Sequence, residues 1–392
     1  MVFKSLYDWL YVVFCGMCMG AADIVPGISG GTVAFIMGFY QKLLNSIKNI
    51  TFRDFFHSND NKFLIALLFG VSIAFVTLAS HFDYILGHET YRIYLYSAFL
   101  GLILASVIFC ARQISNWKRS YFFALLAGGV IAFFLTGPFT QKLLNQHPLY
   151  DVHLPIQTDK IVDNYNPASQ MITDVAAPTL NAMLARGVVS PITIVYSHQH
   201  DKMGPIHQLV DFDGEEGLFN LWIACCGMVA ICAMLLPGIS GSYLLTILGV
   251  YPTVIGALAD FIAAAKSLVF DAEAFAILAN MLLGIVIGAI SFSRLISWLL
   301  KEHRDLTIAL LTGFMLGAMR SVWPFWSYSY VFNALKPAKG PLLHVAKPLL
   351  PDFVGGEFYV SVFFALVGFA MVFLVEYLAS SRAGADGEVE EA

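Results

Sequence analysis

The chain alternates between long uncharged apolar runs and short polar connections. Uncharged runs cover residues 63–80, 93–110, 120–136, 217–236, 238–259, 274–293 and 358–375, while 306–335 hold a single charge, Arg320. About 20 apolar residues carry a helix across a ~30 Å hydrocarbon core, so these runs predict membrane helices. A shorter run, 9–22, stops at Asp23. It spans about 21 Å as a helix, too little to cross. Gly20-Ala21-Ala22 resembles a signal-peptide cleavage site, but the residues just beyond it recur later in the chain. A cleaved leader would not share a repeat unit with the mature protein.

The recurrence is Pro26-Gly27-Ile28-Ser29-Gly30 against Pro237-Gly238-Ile239-Ser240-Gly241, at a constant offset of 211. Gly38 pairs with Gly249 and Tyr40 with Tyr251 at that same offset. Further on, Leu68-Phe69-Gly70 resembles Leu282-Leu283-Gly284, and Leu100-Gly101 resembles Leu316-Gly317. This is a duplication. Pro, Gly and Ser together cannot continue a helix, and unpaired backbone in lipid costs several kcal/mol per group. Residues 5–47 and 218–262 are therefore expected to be re-entrant helical hairpins with their broken tips near mid-membrane.

A hairpin returns to its own side, so each half makes three net crossings, and the second half is inverted relative to the first. The expected fold is an all-α integral membrane protein of two inverted-topology repeats, each a re-entrant hairpin plus three transmembrane helices. The boundaries are 1–137 and 218–379 for the repeats, 138–217 for an external linker and 380–392 for a disordered acidic tail. Lys42, Lys48, Arg53, Lys62, Arg112, Lys118, Arg119, Arg294, Lys301 and Arg304 fall on one face by this topology. That face, and with it both termini, is cytoplasmic. The linker holds four basic residues, nine acidic ones and seven prolines, which predicts irregular structure with at most short strands.

Composition agrees: 58% of residues are apolar and 12% charged, with a net charge of −5. An ordinary soluble domain carries about 25% charged residues. There is no basic stripe for nucleic acid. The six cysteines lie in apolar segments, so neither a disulfide framework nor a Cys15–Cys18 metal or redox site is expected. His198-Gln199-His200 lacks nearby cysteines, so no metal or cofactor is predicted.

Inverted repeats with broken helices point to a secondary transporter. Two half-helix N-termini would meet near the midplane, each with free N–H groups and about half a positive charge. Ser29, Gly30, Gly31 and Thr32 at the first tip, with Ser240, Gly241 and Ser242 at the second, suit a phosphate or carboxylate. Small residues also serve close helix packing. Arg320 is expensive in an apolar run, and its fork matches a phosphate; a snorkelling arginine, with the helix ending at Trp323-Pro324, is its other reading. Asp23, whose repeat counterpart is Met234, is the candidate proton carrier; a helix cap or an ion-pair partner of an arginine is its other reading.

The stretches Ala22-Asp23-Ile24-Val25-Pro26-Gly27-Ile28-Ser29-Gly30-Gly31-Thr32 and Leu236-Pro237-Gly238-Ile239-Ser240-Gly241-Ser242 resemble the bacterial polyprenyl-phosphate transporters. Leu316-Gly317-Ala318-Met319-Arg320-Ser321-Val322-Trp323-Pro324 looks like the later signature of that family. The resemblance covers nearly the whole chain, although the linker is longer than the family pattern. It implies flipping of undecaprenyl phosphate from the outer to the inner leaflet of the bacterial plasma membrane, which recycles the carrier lipid. The partner is then a polyprenyl-phosphate lipid, held with its tail in the bilayer through a lateral opening. A transporter of a small soluble anion would share every motif but need a sealed cavity. A lipid phosphatase would need a nucleophile with a histidine base, and His81, His88 and His303 sit at membrane edges.

Overall fold

The computed structural model describes the chain except residues 1–5, 25–28, 51–57, 137–148, 155–161, 163, 167–168, 177–179, 181–182, 185–187, 191–192, 200, 207–218, 268–269, 332–341 and 391–392. The first half runs α1 (Leu6–Ile24), α2 (Gly30–Ile36), α3 (Tyr40–Lys48), α4 (Asn59–Gly87), α5 (Glu89–Arg112) and α6 (Arg119–Leu135). The second runs α7 (Leu221–Leu235), α8 (Gly241–Ile247), α9 (Tyr251–Lys266), α10 (Ala272–Glu302), α11 (Arg304–Ala318) and α12 (Gly356–Glu390). Among the described residues, five helices are long and apolar enough to cross a membrane: α4, α5, α10, α11 with its following turn, and α12. The pair α8 and α9, bent by 110°, is a sixth if taken as one broken span. Helices α6 and α7 are apolar but shorter.

The halves share local geometry as well as letters. Helices α2 and α8 are both seven residues long. Each ends at a glycine in the left-handed region, Gly38 with φ +75 and Gly249 with φ +74. An L side chain is strained there, so glycine sets both turns. The hydrogen bonds match too: Phe39 N donates to Ala34 O, and Val250 N to Leu245 O. The first break, 25–28, lies outside the described residues. At the second, Gly238 has φ +90 directly after Pro237, which removes a donor and halts α7.

Packing then crosses between halves. Helix α1 lies on α4 and α7 on α10, each within its own half, but α5 packs on α12 and α6 on α11. A Cβ on Gly101 would stand 1.8 Å from Ala365 O, and one on Gly317 2.1 Å from Gly129 O. Small residues let these backbones touch, which is how helices associate where lipid supplies no hydrophobic drive. One shared core joins Phe35, Leu44 and Leu67 to Ile239, Ile247 and Met315.

Three expectations need correction. The linker's strands are short, as expected, but among the described residues they are joined: β1 (Leu149–His153), β2 (Tyr165–Asn166), β3 (Met171–Ala176), β4 (Ile194–Ser197) and β5 (Lys202–Pro205) form one sheet, ordered β2-β3-β1-β4-β5. The pairings are antiparallel, and Tyr150, Val152, Ile172, Val195 and Ile206 build a core beneath them. Strands of two to six residues fit between the prolines. The run 306–335 is not one helix either. Helix α11 ends at Ala318, a 3-10 turn spans Met319–Val322, and β6 (Trp326–Val331) pairs with β7 (Leu342–Pro348). Pro324 blocks the helix, and Ser-Tyr-Ser-Tyr alternation fits a strand. Lastly, α12 continues through the acidic tail to Glu390, over a stretch rich in the helix formers Ala and Glu.

Candidate functional site

Residues 29–40 of the first half meet the second break. Ending α7 at the Pro-Gly break leaves orphan carbonyls, which must find donors away from water. Hydroxyls of the first half supply them. Ser29 Oγ reaches Met234 O at 3.0 Å and Leu236 O at 3.2 Å, and Tyr40 OH donates to Leu235 O at 2.8 Å. In the other direction, Gly238 N–H donates to Thr32 Oγ1 at 2.8 Å. The approach is tight, since a Cβ on Gly31 would meet Met234 O at 2.7 Å. The single hydroxyl proton of Ser29 is therefore committed to the other half's backbone, and its oxygen accepts Gly31 N–H at 3.1 Å.

Asp23 closes the first tip from the other side. Its Oδ1 accepts Gly30 N–H at 2.6 Å, so the carboxylate caps α2. Ser29, Gly30, Gly31 and Thr32 are all buried. The second tip differs. Ser240 is 9% exposed and Gly241 is buried, but Ser242 is exposed, and the Ser240 and Ser242 hydroxyl oxygens lie 3.0 Å apart.

Arg320 belongs to the second tip. Packing of α11 brings Ala318 Cβ to 2.9 Å from a Cβ built on Gly238, and Arg320 follows two residues on. Its guanidinium stands 4.8 Å over the Phe133 ring and acts electrostatically on Tyr243, in the first turn of α8. It is half-buried and has no ion pair among the described residues. Arg112, in contrast, sits at the last turn of α5 and lies 5.6 Å over Phe373.

Sequence reasoning missed Tyr40 and the capping work of Thr32, because their partners lie about two hundred residues away. It also missed buried Arg92, whose guanidinium stacks 3.6 Å over Tyr328 of β6 and donates to Leu86 O at 2.8 Å. Burial raises the Tyr328 hydroxyl above its ordinary pKa, with Arg92 opposing. On the sheet, Asp151 of β1, Asp174 of β3 and His198 just beyond β4 come together, their ligand atoms within 4.8 Å of one another. They have the donor types a metal needs. However, His198 Nε2 already contacts Asp151 Oδ1 at 2.8 Å, and Asp174 and His198 are exposed, so the contact reads as an ion pair. His200 lies outside the described residues.

The model of the family described as VCA0040-like, undecaprenyl phosphate translocase-like, matches residues 19–150 and 168–337. The chain belongs to that family. A relative from Vibrio cholerae named polyprenyl-phosphate transporter is 32% identical over 81% of this chain and 79% of its own length. A Staphylococcus aureus protein of the same name is 28% identical over 81% of this chain and 87% of its own. No solved structure matches. The matched regions take in both broken tips and Arg320, and with the apolar helices they make this a multi-pass membrane protein of a transporter family.

Proposed function

We propose that this protein carries a polyprenyl phosphate, undecaprenyl phosphate in particular, from the outer to the inner leaflet of a bacterial plasma membrane. The observation that carries this reading is membership of a family whose relatives are named for polyprenyl phosphate. The phosphate sits at the second tip, between the Ser240 and Ser242 hydroxyls, the Gly241 backbone and Arg320. A phosphomonoester carries about −1.5 to −2 charge at neutral pH, and a guanidinium fork is its natural partner. The first tip, Ser29 to Thr32, acts as a bracket that holds the second break in shape. Asp23 is the coupling group. A carboxylate makes a stronger bond to Gly30 N–H than a neutral acid would, so protonation loosens the bracket.

The halves are inverted, and the hairpins re-enter on their own sides. Two groups of contacts support this. Lys48, Lys118, Lys301 and Arg304 line two adjoining clefts at one end of the helices. Arg92 meets Tyr328 and Thr90 meets Glu357, at the other end of α5. The basic end is cytoplasmic by the positive-inside rule, which puts both termini inside and both β-structures outside. The boundaries 1–137, 138–217 and 218–379 follow the same division.

The test is transport of labelled undecaprenyl phosphate in proteoliposomes containing only this protein. No transfer above protein-free vesicles rejects the function. Transfer of inorganic phosphate but not of the lipid selects a small-anion transporter instead.

A further inference from the structure

The basic end holds a cleft unlike its surroundings. About 410 Å³ of space lies between the C-terminal end of α3 and the last turns of α10, lined by Lys48, Asn49, Arg294, Ser297, Trp298 and Lys301. Residues 294, 297, 298 and 301 fall on one face of α10 by helical spacing. Among the described residues no carboxylate lines the cleft and none of its three cations forms an ion pair; the lining Asn49 Nδ2 donates to Asp60 Oδ2 at 3.3 Å, and Asp60 is itself paired with Lys42. Lys48 Nζ rests on Asn45 Oδ1 at 3.1 Å, and Ser297 Oγ lies 3.5 Å from that same oxygen, so Asn45 ties the two helices at the floor. The adjoining cleft is more nearly balanced, with Glu302 and Asp305 offsetting two of the three cations Lys118, Lys301 and Arg304.

Charge arithmetic separates the two. Two helix C-termini contribute about −0.5 each, which offsets one of the three cations and leaves about +2. A phosphodiester lipid would neutralise half of that; a phosphomonoester, at about −1.5 to −2, neutralises nearly all of it. The cleft also opens onto an apolar surface, where Leu295 and Trp298 are 49% and 53% exposed. An indole at this level is an interfacial anchor.

We propose that the cleft between α3 and α10 binds the phosphomonoester head group of a membrane lipid, with the lipid tail lying against Leu295 and Trp298. Resting on the transport reading for the identity of that lipid, it is the cytoplasmic discharge site, distinct from the second tip. Because α3 belongs to the first half and α10 to the second, relative movement of the halves opens or closes it.

The test uses the full chain carrying Arg320→Ala throughout, so that the second tip is weakened, in phosphatidylcholine nanodiscs, and measures equilibrium binding of farnesyl phosphate, dioleoyl phosphatidic acid, phosphatidylglycerol and inorganic phosphate. Both phosphomonoester lipids should bind at least several-fold more tightly than phosphatidylglycerol and inorganic phosphate. The Arg294→Gln/Lys301→Gln double variant should lose about thirty-fold in affinity for them, at roughly fivefold per surface charge. Arg294→Lys/Lys301→Arg should retain binding, which separates charge from misfolding. Lys118→Gln, in the adjoining cleft, should change it less than twofold. Unchanged binding in the double variant overturns the site. Equal binding of phosphatidylglycerol overturns the charge match, and equal binding of inorganic phosphate overturns the lipid. Full binding at this cleft, where the chain with Arg320 intact transports no lipid, would refute the transport reading alone.

Discussion

Thr32 is where a ligand-binding role and a bracing role predict different outcomes. Its hydroxyl oxygen accepts Gly238 N–H at 2.8 Å, and the residue is 1% exposed. Thr32→Val keeps the shape and leaves no cavity, so its effect is confined to that hydrogen bond. A buried N–H left without an acceptor costs about 1–3 kcal/mol. Inside membrane proteins such bonds average about 0.6 and reach about 1.7 kcal/mol, because the unfolded chain in lipid also finds partners. The break at Pro237-Gly238 has no alternative partner in a continuous helix, so the upper part of that range applies: a loss of about 1–2 kcal/mol. Equilibrium unfolding by SDS titration in mixed micelles measures it, and Thr32→Ser should recover most of the loss. Binding of farnesyl phosphate, scaled to the folded fraction, should be unchanged. A stability change below about 0.5 kcal/mol with a tenfold loss of binding would refute the bracket and make the first tip a phosphate site.

Arg320→Ala should lower lipid transport at least thirty-fold, Arg320→Lys should be partly active because it keeps charge without the fork, and Arg112→Ala should stay within a few-fold of wild type in the same proteoliposome assay. Asp23→Asn retains an acceptor for Gly30 N–H, so the protein should fold normally and bind lipid, yet transport should no longer respond to an imposed pH gradient; an unchanged response excludes Asp23. Gly317→Ala places a methyl 2.1 Å from Gly129 O and should destabilise the protein by about 1–3 kcal/mol in thermal unfolding, whereas Gly129→Ala, whose Cβ would sit 3.5 Å from the nearest atom, should be nearly neutral.

Much of this architecture is legible in the chain because lipid imposes one rule on every span. Uncharged runs mark the starts of α4, α5, α10 and α12 to within four residues, while all but α5 continue well beyond the end of their run. The second Pro-Gly-Ile-Ser-Gly marks the break after α7, because interrupted backbone survives in a membrane only where other protein covers it. The strands were harder to read. Trp326 to Val331 carries no charge and so continues the uncharged run before it, and the period-2 alternation there is only six residues long. In the sheet of β1 to β5, five short strands pair across proline-rich connections that sequence patterns leave unlinked. At the site, the residue types were readable but their assignments were not. Ser29 and Ser240 look equivalent on paper. Only the fold commits the first to Met234 and Leu236 and leaves the second beside exposed Ser242.

The exchanged packing of α5 with α12 and α6 with α11 bears on how the protein is made. The ribosome releases α5 more than two hundred residues before α12 exists, so the glycine-notched faces of α5 and α6 wait in the bilayer without partners. Neither half is a self-sufficient folding unit, and assembly is completed only when the last helix is inserted. The chain expressed as two pieces, cut in the connection after α6, should regain a stable complex when both pieces share a membrane, while each piece alone is a substrate for quality-control proteolysis.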